Sequence, residues 1–156
     1  MPVFSTKYLT RISADIFSAA GMREDEARIV AKELVEANCA GHDSHGVIRV
    51  AQYLDQIAAG DIAPDAEVEI VRETPILAVL DAHWGLGQVA MSRGVELGLA
   101  KAKASGMATI AVHRANHVGR LGSYVEHIAR ENVVGQLFVN GSPTCRMAPW
   151  GGREAR

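Results

Sequence analysis

The chain of 156 residues has few cysteines, little net charge and no long apolar run. Its two cysteines, Cys39 and Cys145, are too few for a disulfide framework, and neither lies in a pattern typical of a catalytic thiol. A formal net charge of -2, with both signs mixed along the chain, lacks the basic patch that nucleic acid or an anionic membrane would require. We therefore expect a small-molecule partner, with no nucleic acid and no membrane.

The shortness of the apolar runs also limits where the protein can reside. The longest run, residues 76–80, is far shorter than a membrane helix, and residues 1–9 lack the apolar core of a secretory signal. These features predict a cytoplasmic protein. A composition of 48% hydrophobic and 22% charged residues is typical of a globular chain, and the length suits one domain with a substantial core.

Helical spacing of apolar residues dominates the first part of the chain. Three helices are predicted there: one capped by Ser5 or Thr6, one opened by the acidic residues 24–26, and one beginning near Ser44, with glycines at 21, 41 and 60 ending them. On the third helix, His45 and Arg49 would share a face because they are four residues apart.

The pattern changes after the breaker-rich residues 60–64, so we place a domain boundary there. Strands are predicted over 68–72, 76–81, 107–112 and 133–139, with helices over 87–105 and 121–132. This succession predicts a mostly parallel sheet with helices packed against it. The fold class is therefore α/β, with a helical domain over 1–62 and an alternating strand and helix domain over 63–156.

Two histidine-bearing segments, residues 42–49 and 116–119, have the setting of a proton-transfer site. Histidine has an unperturbed pKa of about 6.5, which suits it to exchange a proton with a hydroxyl group. His117 follows a predicted strand, and loops at the carboxyl ends of parallel strands are where ligands bind in open α/β sheets. For His45, the residues alone leave a structural role equally open.

Arg49 is a candidate carboxylate ligand. A guanidinium has planar paired donors that match a carboxylate, and at a helix start its charge opposes the dipole, so a bound anion would compensate. The commoner case for an isolated arginine is a solvated or salt-bridged surface residue, and spacing alone leaves both open.

Two other motifs have simpler interpretations. The spacings of His42, His45, His113 and His117 would also suit a metal-dependent hydrolase, but no signature such as His-Glu-x-x-His accompanies them, and we expect no metal. Residues 85–90 fit the dinucleotide fingerprint, yet the next strand runs into His113 and Arg114 rather than an acidic residue. We interpret this motif as the start of a helix rather than a pyrophosphate cradle.

Several separated motifs in one order resemble the malate/L-lactate dehydrogenase family of the ureidoglycolate, sulfolactate and diketogulonate dehydrogenase type. They are residues 43–49 with Tyr53, residues 80–81 with 85–88, residues 116–119 before Gly122 and Tyr124, and residues 149–156. The resemblance covers essentially the whole chain. Because members of that family are much longer, we expect a cofactor-binding domain that is truncated.

The resemblance implies an oxidoreductase that uses NAD or NADP to interconvert a 2-hydroxy acid, similar to malate or lactate, and its 2-oxo acid. It also implies a homodimer and a cofactor domain that is not of the Rossmann type. The implied site has His117 or His45 as acid/base, with His117 favoured, Arg49 as carboxylate clamp, Ser44, Tyr53 and Asn116 as substrate-binding neighbours, and Ser142 as a cofactor contact. The alternatives are a non-catalytic fragment of such an enzyme and the metal-dependent hydrolase.

Overall fold

The computed structural model describes residues 3–141, which form helices and one small sheet. In chain order the elements are α1 Thr6–Ala19, α2 Glu24–Cys39, α3 Arg49–Ala58, β1 Glu69–Glu73, β2 Leu77–Asp81, α4 Gly87–Ser105, β3 Thr109–His113 and α5 Leu121–Arg130. No helix in this part of the chain is long and apolar enough to cross a membrane. The mixed α/β composition confirms the predicted class.

The first two helices form where the sequence predicts them. The Ser5 hydroxyl accepts a hydrogen bond from the Tyr8 amide at 3.2 Å, which satisfies one free donor of the α1 start. Gly21 follows α1 with φ +99°, a left-handed conformation that favours glycine. The main core cluster consists of Phe17, Met22, Ala27, Val30, Leu34, Tyr53, Ile62, Leu86 and Val89. It takes residues from both sides of the boundary near residue 62, and the division into two domains stays a prediction.

The predicted start of the third helix near Ser44 is wrong. A short 3-10 helix covers Asp43–His45, Gly46 is extended with φ -89° and ψ -160°, and α3 begins only at Arg49. The physical reason is a side chain outside the segment: Asn38 Oδ1 accepts the Val47 amide at 2.8 Å and holds the chain out of helical geometry. His45 and Arg49 therefore do not share a helical face.

The sheet is mixed rather than mostly parallel. Its order is β1-β2-β3, with β1 antiparallel to β2 and β2 parallel to β3 in the register Leu77 to Thr109 and Asp81 to His113. The link from β1 to β2 is too short for a crossover helix, so these two strands form a hairpin. α4 provides the crossover between β2 and β3, as predicted, and packs against Leu80 and Ile110.

The predicted strand over 133–139 belongs to no sheet within the described residues. The segment keeps the alternating exposure of a strand, with Val133 and Leu137 packed against the cluster of Val95, Leu99 and Tyr124. Asn132, at φ +59°, turns the chain onto this α4 and α5 surface. The predicted alternation of exposed and less exposed side chains is therefore correct. The less exposed side chains pack against a helical surface, however, and the segment pairs with no neighbouring strand within the described residues.

Candidate active site

The two histidine-bearing segments meet although they are far apart in the chain. The ring centroids of His45 and His117 are 5.1 Å apart, and His42 lies 5.0 Å from His45. His45 ends the 3-10 helix that follows α2, whereas His117 lies in the loop after β3. The geometry thus brings together the two histidines that the family resemblance implies as acid/base candidates.

Asn38 holds the first of these segments in place. Its Nδ2 donates to Asp43 Oδ1 at 2.6 Å, and its Oδ1 accepts from the Val47 amide. A Cβ on Gly46 would lie 2.2 Å from Asn38 Oδ1, so only glycine fits between them. Sequence analysis did not identify Asn38; the glycine after His45 was the one visible sign that another group approaches the chain there.

Asn116 has a comparable task in the second segment. Its Nδ2 donates to the carbonyl oxygens of Trp84 at 2.6 Å and Asp61 at 3.1 Å, and its backbone amide donates to the Gly85 carbonyl. Both hydrogens of the side-chain amide are therefore used by backbone acceptors. In this arrangement Asn116 positions the His117 loop. The predicted contact between Asn116 and substrate would have to use an atom other than its Nδ2.

The start of α4 is covered by the same loop. A Cβ on Gly87 would lie 2.3 Å from the Asn116 carbonyl oxygen and 2.8 Å from that of His117. These carbonyls pack directly against Gly87 and leave no room for a side chain in the first turn of α4. The glycines of residues 85–90 serve close packing, which agrees with their interpretation as a helix start.

The base of the His117 loop is held at the carboxyl ends of β2 and β3. Arg114 Nε donates to Asp81 Oδ1 at 2.9 Å, and the His83 amide donates to the same oxygen. The hydrogen bond from the Arg114 guanidinium lowers the pKa of the buried Asp81 carboxyl to about 2. Asp81 therefore stays ionised and anchors the chain three residues before His117.

A buried hydrogen-bonded chain lies behind His117. Tyr53 is fully buried, and its hydroxyl lies 2.6 Å from His117 Nδ1. The same hydroxyl accepts from Gln88 Nε2 at 2.9 Å, and Gln88 is also fully buried. The predicted substrate neighbour Tyr53 thus contacts the histidine, and Gln88 is a site residue that sequence analysis missed inside the glycine motif.

Burial and neighbouring positive charge keep both histidines neutral. Burial is the main cause that lowers the pKa of His117 to about 4, followed by the positive charge that His45 has when protonated and by the charge of Arg49. Burial also lowers the pKa of His45, with His42 and Arg49 adding to the effect. Near neutral pH each imidazole therefore has one nitrogen that can accept a proton and one that can donate a hydrogen bond.

Among the described residues, Arg49 is held by neutral partners only. Its Nε donates to the Ser44 carbonyl at 2.6 Å, and its Nη1 donates to the Gln52 side chain. Within residues 3–141, no carboxylate lies within 4.0 Å of this guanidinium. The remaining N–H groups, at the positively charged start of α3, are available for an external carboxylate.

The other predicted residues have different positions. The Ser44 hydroxyl lies 2.9 Å from His45 Nδ1 and so touches the site. Ser142 lies outside the described residues. His113 Nε2 is 4.0 Å from Asp81 Oδ2 instead of joining the histidines in a metal cluster, and the described part of the chain has no group of three His, Cys, Asp or Glu side chains suited to hold a metal ion.

Comparison with known proteins identifies relatives of this chain. Residues 4–156 match the family described as malate/L-lactate dehydrogenase. The chain is 37% identical to an L-sulfolactate dehydrogenase of Methanocaldococcus jannaschii over 92% of this chain and 41% of that protein. It is also 37% identical to a malate dehydrogenase of Pyrococcus abyssi over 89% of this chain and 38% of that protein.

Solved structures agree with the sequence comparison. The fold is similar to that of the sulfolactate dehydrogenase from Methanocaldococcus jannaschii, with a TM-score of 0.82 and 34% identity, over 84% of this chain and 38% of the other. The chain spans about two fifths of the length of the curated relatives it matches.

Proposed function

The chain belongs to the malate/L-lactate dehydrogenase family, and we propose that it carries the acid/base and carboxylate-binding groups of a dehydrogenase that uses NAD or NADP. Its substrate would be a 2-hydroxy acid similar to malate or lactate, which it interconverts with the 2-oxo acid. The observation that carries this proposal is the neutral pair of His45 and His117 beside Arg49, whose guanidinium has no carboxylate partner within residues 3–141.

Arg49 would bind the substrate carboxylate through its free N–H groups. Two parallel hydrogen bonds from a guanidinium fix a carboxylate in orientation as well as position, which brings the adjacent hydroxy carbon to the histidines. The partners of Arg49 at Ser44 and Gln52 hold the guanidinium in one place before substrate arrives. Ser44, whose hydroxyl touches His45, stays in the proposed substrate set.

The histidine pair would handle the hydroxyl proton. In the oxidative direction the O–H bond of the substrate breaks, its proton passes to a neutral imidazole, and the C2 hydrogen leaves with both bonding electrons as a hydride. A positioned acid/base of this kind contributes roughly a hundredfold to ten-thousandfold to the rate. The other imidazole would hold the substrate oxygen by a hydrogen bond.

The chemistry of this set of residues fits a nicotinamide cofactor. When bound, the nicotinamide supplies the acceptor for the hydride, and the protein has to orient the substrate and exchange one proton. Arg49 and the two histidines can do both. Ser142 is the proposed contact with the cofactor.

A reduction assay tests the proposal. The chain is incubated with NAD or NADP and with L-malate, L-lactate or sulfolactate, while the absorbance of the reduced nicotinamide is followed. We expect the nicotinamide to be reduced with at least one of the acids, and the rate to fall by roughly a hundredfold or more in His45→Gln or His117→Gln. His127→Gln, which removes a half-exposed imidazole paired with Glu96, is the matched control. Equal rates in all three variants would contradict the assignment.

A second candidate function is association without catalysis, which the exposed apolar side chains of residues 134–139 favour. Val134 is 97% exposed and Phe138 is 84% exposed, which is unusual for side chains of this size. We propose a homodimer, and sedimentation of the chain with and without Phe138→Ser tests it. A chain that associates through Phe138 but reduces neither nicotinamide would favour this second function.

A further inference from the structure

The hydrogen-bonded chain behind His117 connects three parts of the fold. Gln88 lies in the first turn of α4, Tyr53 in α3 and His117 in the loop after β3. The Gln88 Nε2 to Tyr53 oxygen distance is 2.9 Å, and the Tyr53 oxygen to His117 Nδ1 distance is 2.6 Å. Gln88 and Tyr53 are both fully buried, so no bulk water competes for these groups.

The direction of these hydrogen bonds follows from the orientation of the Gln88 amide, whose Nε2 faces Tyr53 and whose buried Oε1 has no hydrogen-bond partner among the described residues. The Gln88 amide nitrogen can only donate, so the Tyr53 oxygen accepts from it. The hydroxyl proton of Tyr53 then needs an acceptor, and within residues 3–141 the only other group bonded to this oxygen is His117 Nδ1. A buried O–H without a partner would be costly, so Tyr53 donates to an unprotonated Nδ1.

This direction determines where neutral His117 keeps its proton. With Nδ1 acting as acceptor, the single proton of the imidazole must be on Nε2. Within the described residues, no protein group hydrogen-bonds to Nε2, and this nitrogen is on the side of the ring away from Tyr53. His117 would therefore present a donor to a ligand.

We propose that Tyr53, with its hydroxyl oriented by Gln88, holds neutral His117 as the Nε2–H tautomer. His117 then donates a hydrogen bond to the substrate oxygen, and His45, rather than the His117 favoured by the family resemblance, exchanges the proton. The roles at the substrate rest on the proposed function, whereas the tautomer is a property of the chain alone. Tyr53 and Gln88 are positioning residues in this scheme, since both act through His117.

The division of roles balances in the oxidative direction. The substrate hydroxyl gives its proton to Nε2 of His45, whose Nδ1 can donate to the Ser44 hydroxyl 2.9 Å away. With a nicotinamide bound, it would supply the acceptor for the C2 hydride, and the substrate oxygen, then a carbonyl, would still accept from His117 Nε2–H. His117 ends the step with the proton it started with, while His45 becomes an imidazolium.

The tautomer can be read directly in the wild-type chain. In chains labelled with ring-15N histidine, long-range proton to nitrogen correlations distinguish a protonated Nε2 from a protonated Nδ1, and loss of signals in His117→Gln assigns the residue. We expect a single Nε2–H form for His117 above its pKa. A protonated Nδ1 would overturn the proposal, and the tautomer itself is read in the wild-type chain, with the variant used only for assignment.

The direction of a change in the pKa of His117 tests the hydrogen-bonded chain from Gln88 through Tyr53 to His117, which we call the relay. A donor on Nδ1 stabilises the neutral imidazole, so Tyr53→Phe should raise the pKa of His117, and Gln88→Met, which weakens Tyr53 as a donor, should raise it less. If Nδ1–H donated to Tyr53 instead, loss of the hydroxyl would lower the pKa. Tyr8→Phe, an exposed tyrosine on α1, is the control and should leave His117 unchanged.

The expected pKa changes are increases because burial and the charges of His45 and Arg49 remain in both variants. A fall in the pKa of His117 in Tyr53→Phe, or no change in either variant, would overturn the relay. Addition of L-malate separates this result from the proposed function. If His117 is in the Nε2–H form but its signals do not change with L-malate, the proposed tautomer stands and the proposed dehydrogenase function is contradicted. If its signals change with L-malate but Nδ1 is protonated, the function is supported and the tautomer is contradicted.

Discussion

The hydroxyl of Tyr53 lies 2.6 Å from His117 Nδ1, which joins the third helix to the loop after the last strand of the sheet. This contact spans 64 positions of the chain and lies beside the 5.1 Å approach of His45 to His117. It makes the core of the helical part and the geometry of the candidate site depend on each other. Changes at its two ends are therefore informative about both stability and binding.

Loss of the Tyr53 hydroxyl should destabilise the chain. Tyr53→Phe leaves two buried groups, Gln88 Nε2 and His117 Nδ1, without their partner, and a buried unpaired group costs about 1–3 kcal/mol. Urea unfolding monitored by circular dichroism measures the change. Tyr8→Phe should stay within about 0.5 kcal/mol of wild type, as exposed substitutions do. Equal effects of both variants would show that the buried hydroxyl bonds contribute nothing.

Gly87→Ala should disturb the site through the backbone. The new Cβ would lie 2.3 Å from the Asn116 carbonyl oxygen, so the loop that carries His117 has to move. Overpacking of this kind costs about 1–3 kcal/mol in the free energy of unfolding. Gly122→Ala is the control: its Cβ meets only the movable end of the Arg120 side chain, and alanine suits a helix better than glycine. A Gly87→Ala chain as stable as wild type would contradict the close packing.

Stability should fall between neutral and mildly acidic pH because of His117. Its pKa is about 4 in the folded chain and about 6.5 when unfolded, so on acidification the unfolded state binds a proton first. The contribution is fully present above about pH 6.5 and is lost progressively as the pH falls toward 4. Unfolding curves across this range should have a weaker pH dependence in His117→Gln. The same slope in both chains would mean that His117 is not the group that titrates.

Arg49→Lys should weaken the binding of a 2-hydroxy or 2-oxo acid by about tenfold or more, since lysine replaces a planar pair of donors with a single point charge. Binding of oxamate, an unreactive 2-oxo acid analogue, can be measured by calorimetry. Arg130→Lys changes an exposed arginine at the end of α5 in the same way and should have no effect. Unchanged affinity in Arg49→Lys would remove Arg49 from the proposed carboxylate site.

Local periodicity was sufficient to predict most elements of the fold. α2 and α4 begin where acidic residues or the glycine motif predicted, and the three sheet strands differ from prediction by only one or two residues at their ends. The prediction of a strand over 133–139 is wrong because an apolar residue at every second position indicates that one side of the segment is buried, but does not indicate what it packs against. Here the cover is the surface formed by α4 and α5.

The site was predicted less completely, for a related reason. His45, His117 and Arg49 follow from residue type, neighbouring glycines and family resemblance, all of which can be read along the chain. Asn38 and Gln88 act through contacts with residues 9 and 35 positions away, and an ordinary polar residue in a helix gives no local sign of such a partner. The third helix was misplaced for the same reason, since Asn38 interrupts it.

A titration with L-malate, followed through the ring-nitrogen signals of the six histidines, tests the central claim most directly. The experiment uses the whole chain without cofactor, and succinate, which has both carboxylates but no hydroxyl, is the control ligand. We expect the signals of His45 and His117 to shift saturably with L-malate and more weakly with succinate. Those of His127, which pairs with Glu96 on α4, should stay fixed. No response of His45 and His117 at saturating L-malate, or the same response to succinate, would contradict a hydroxy-acid site formed by these two histidines.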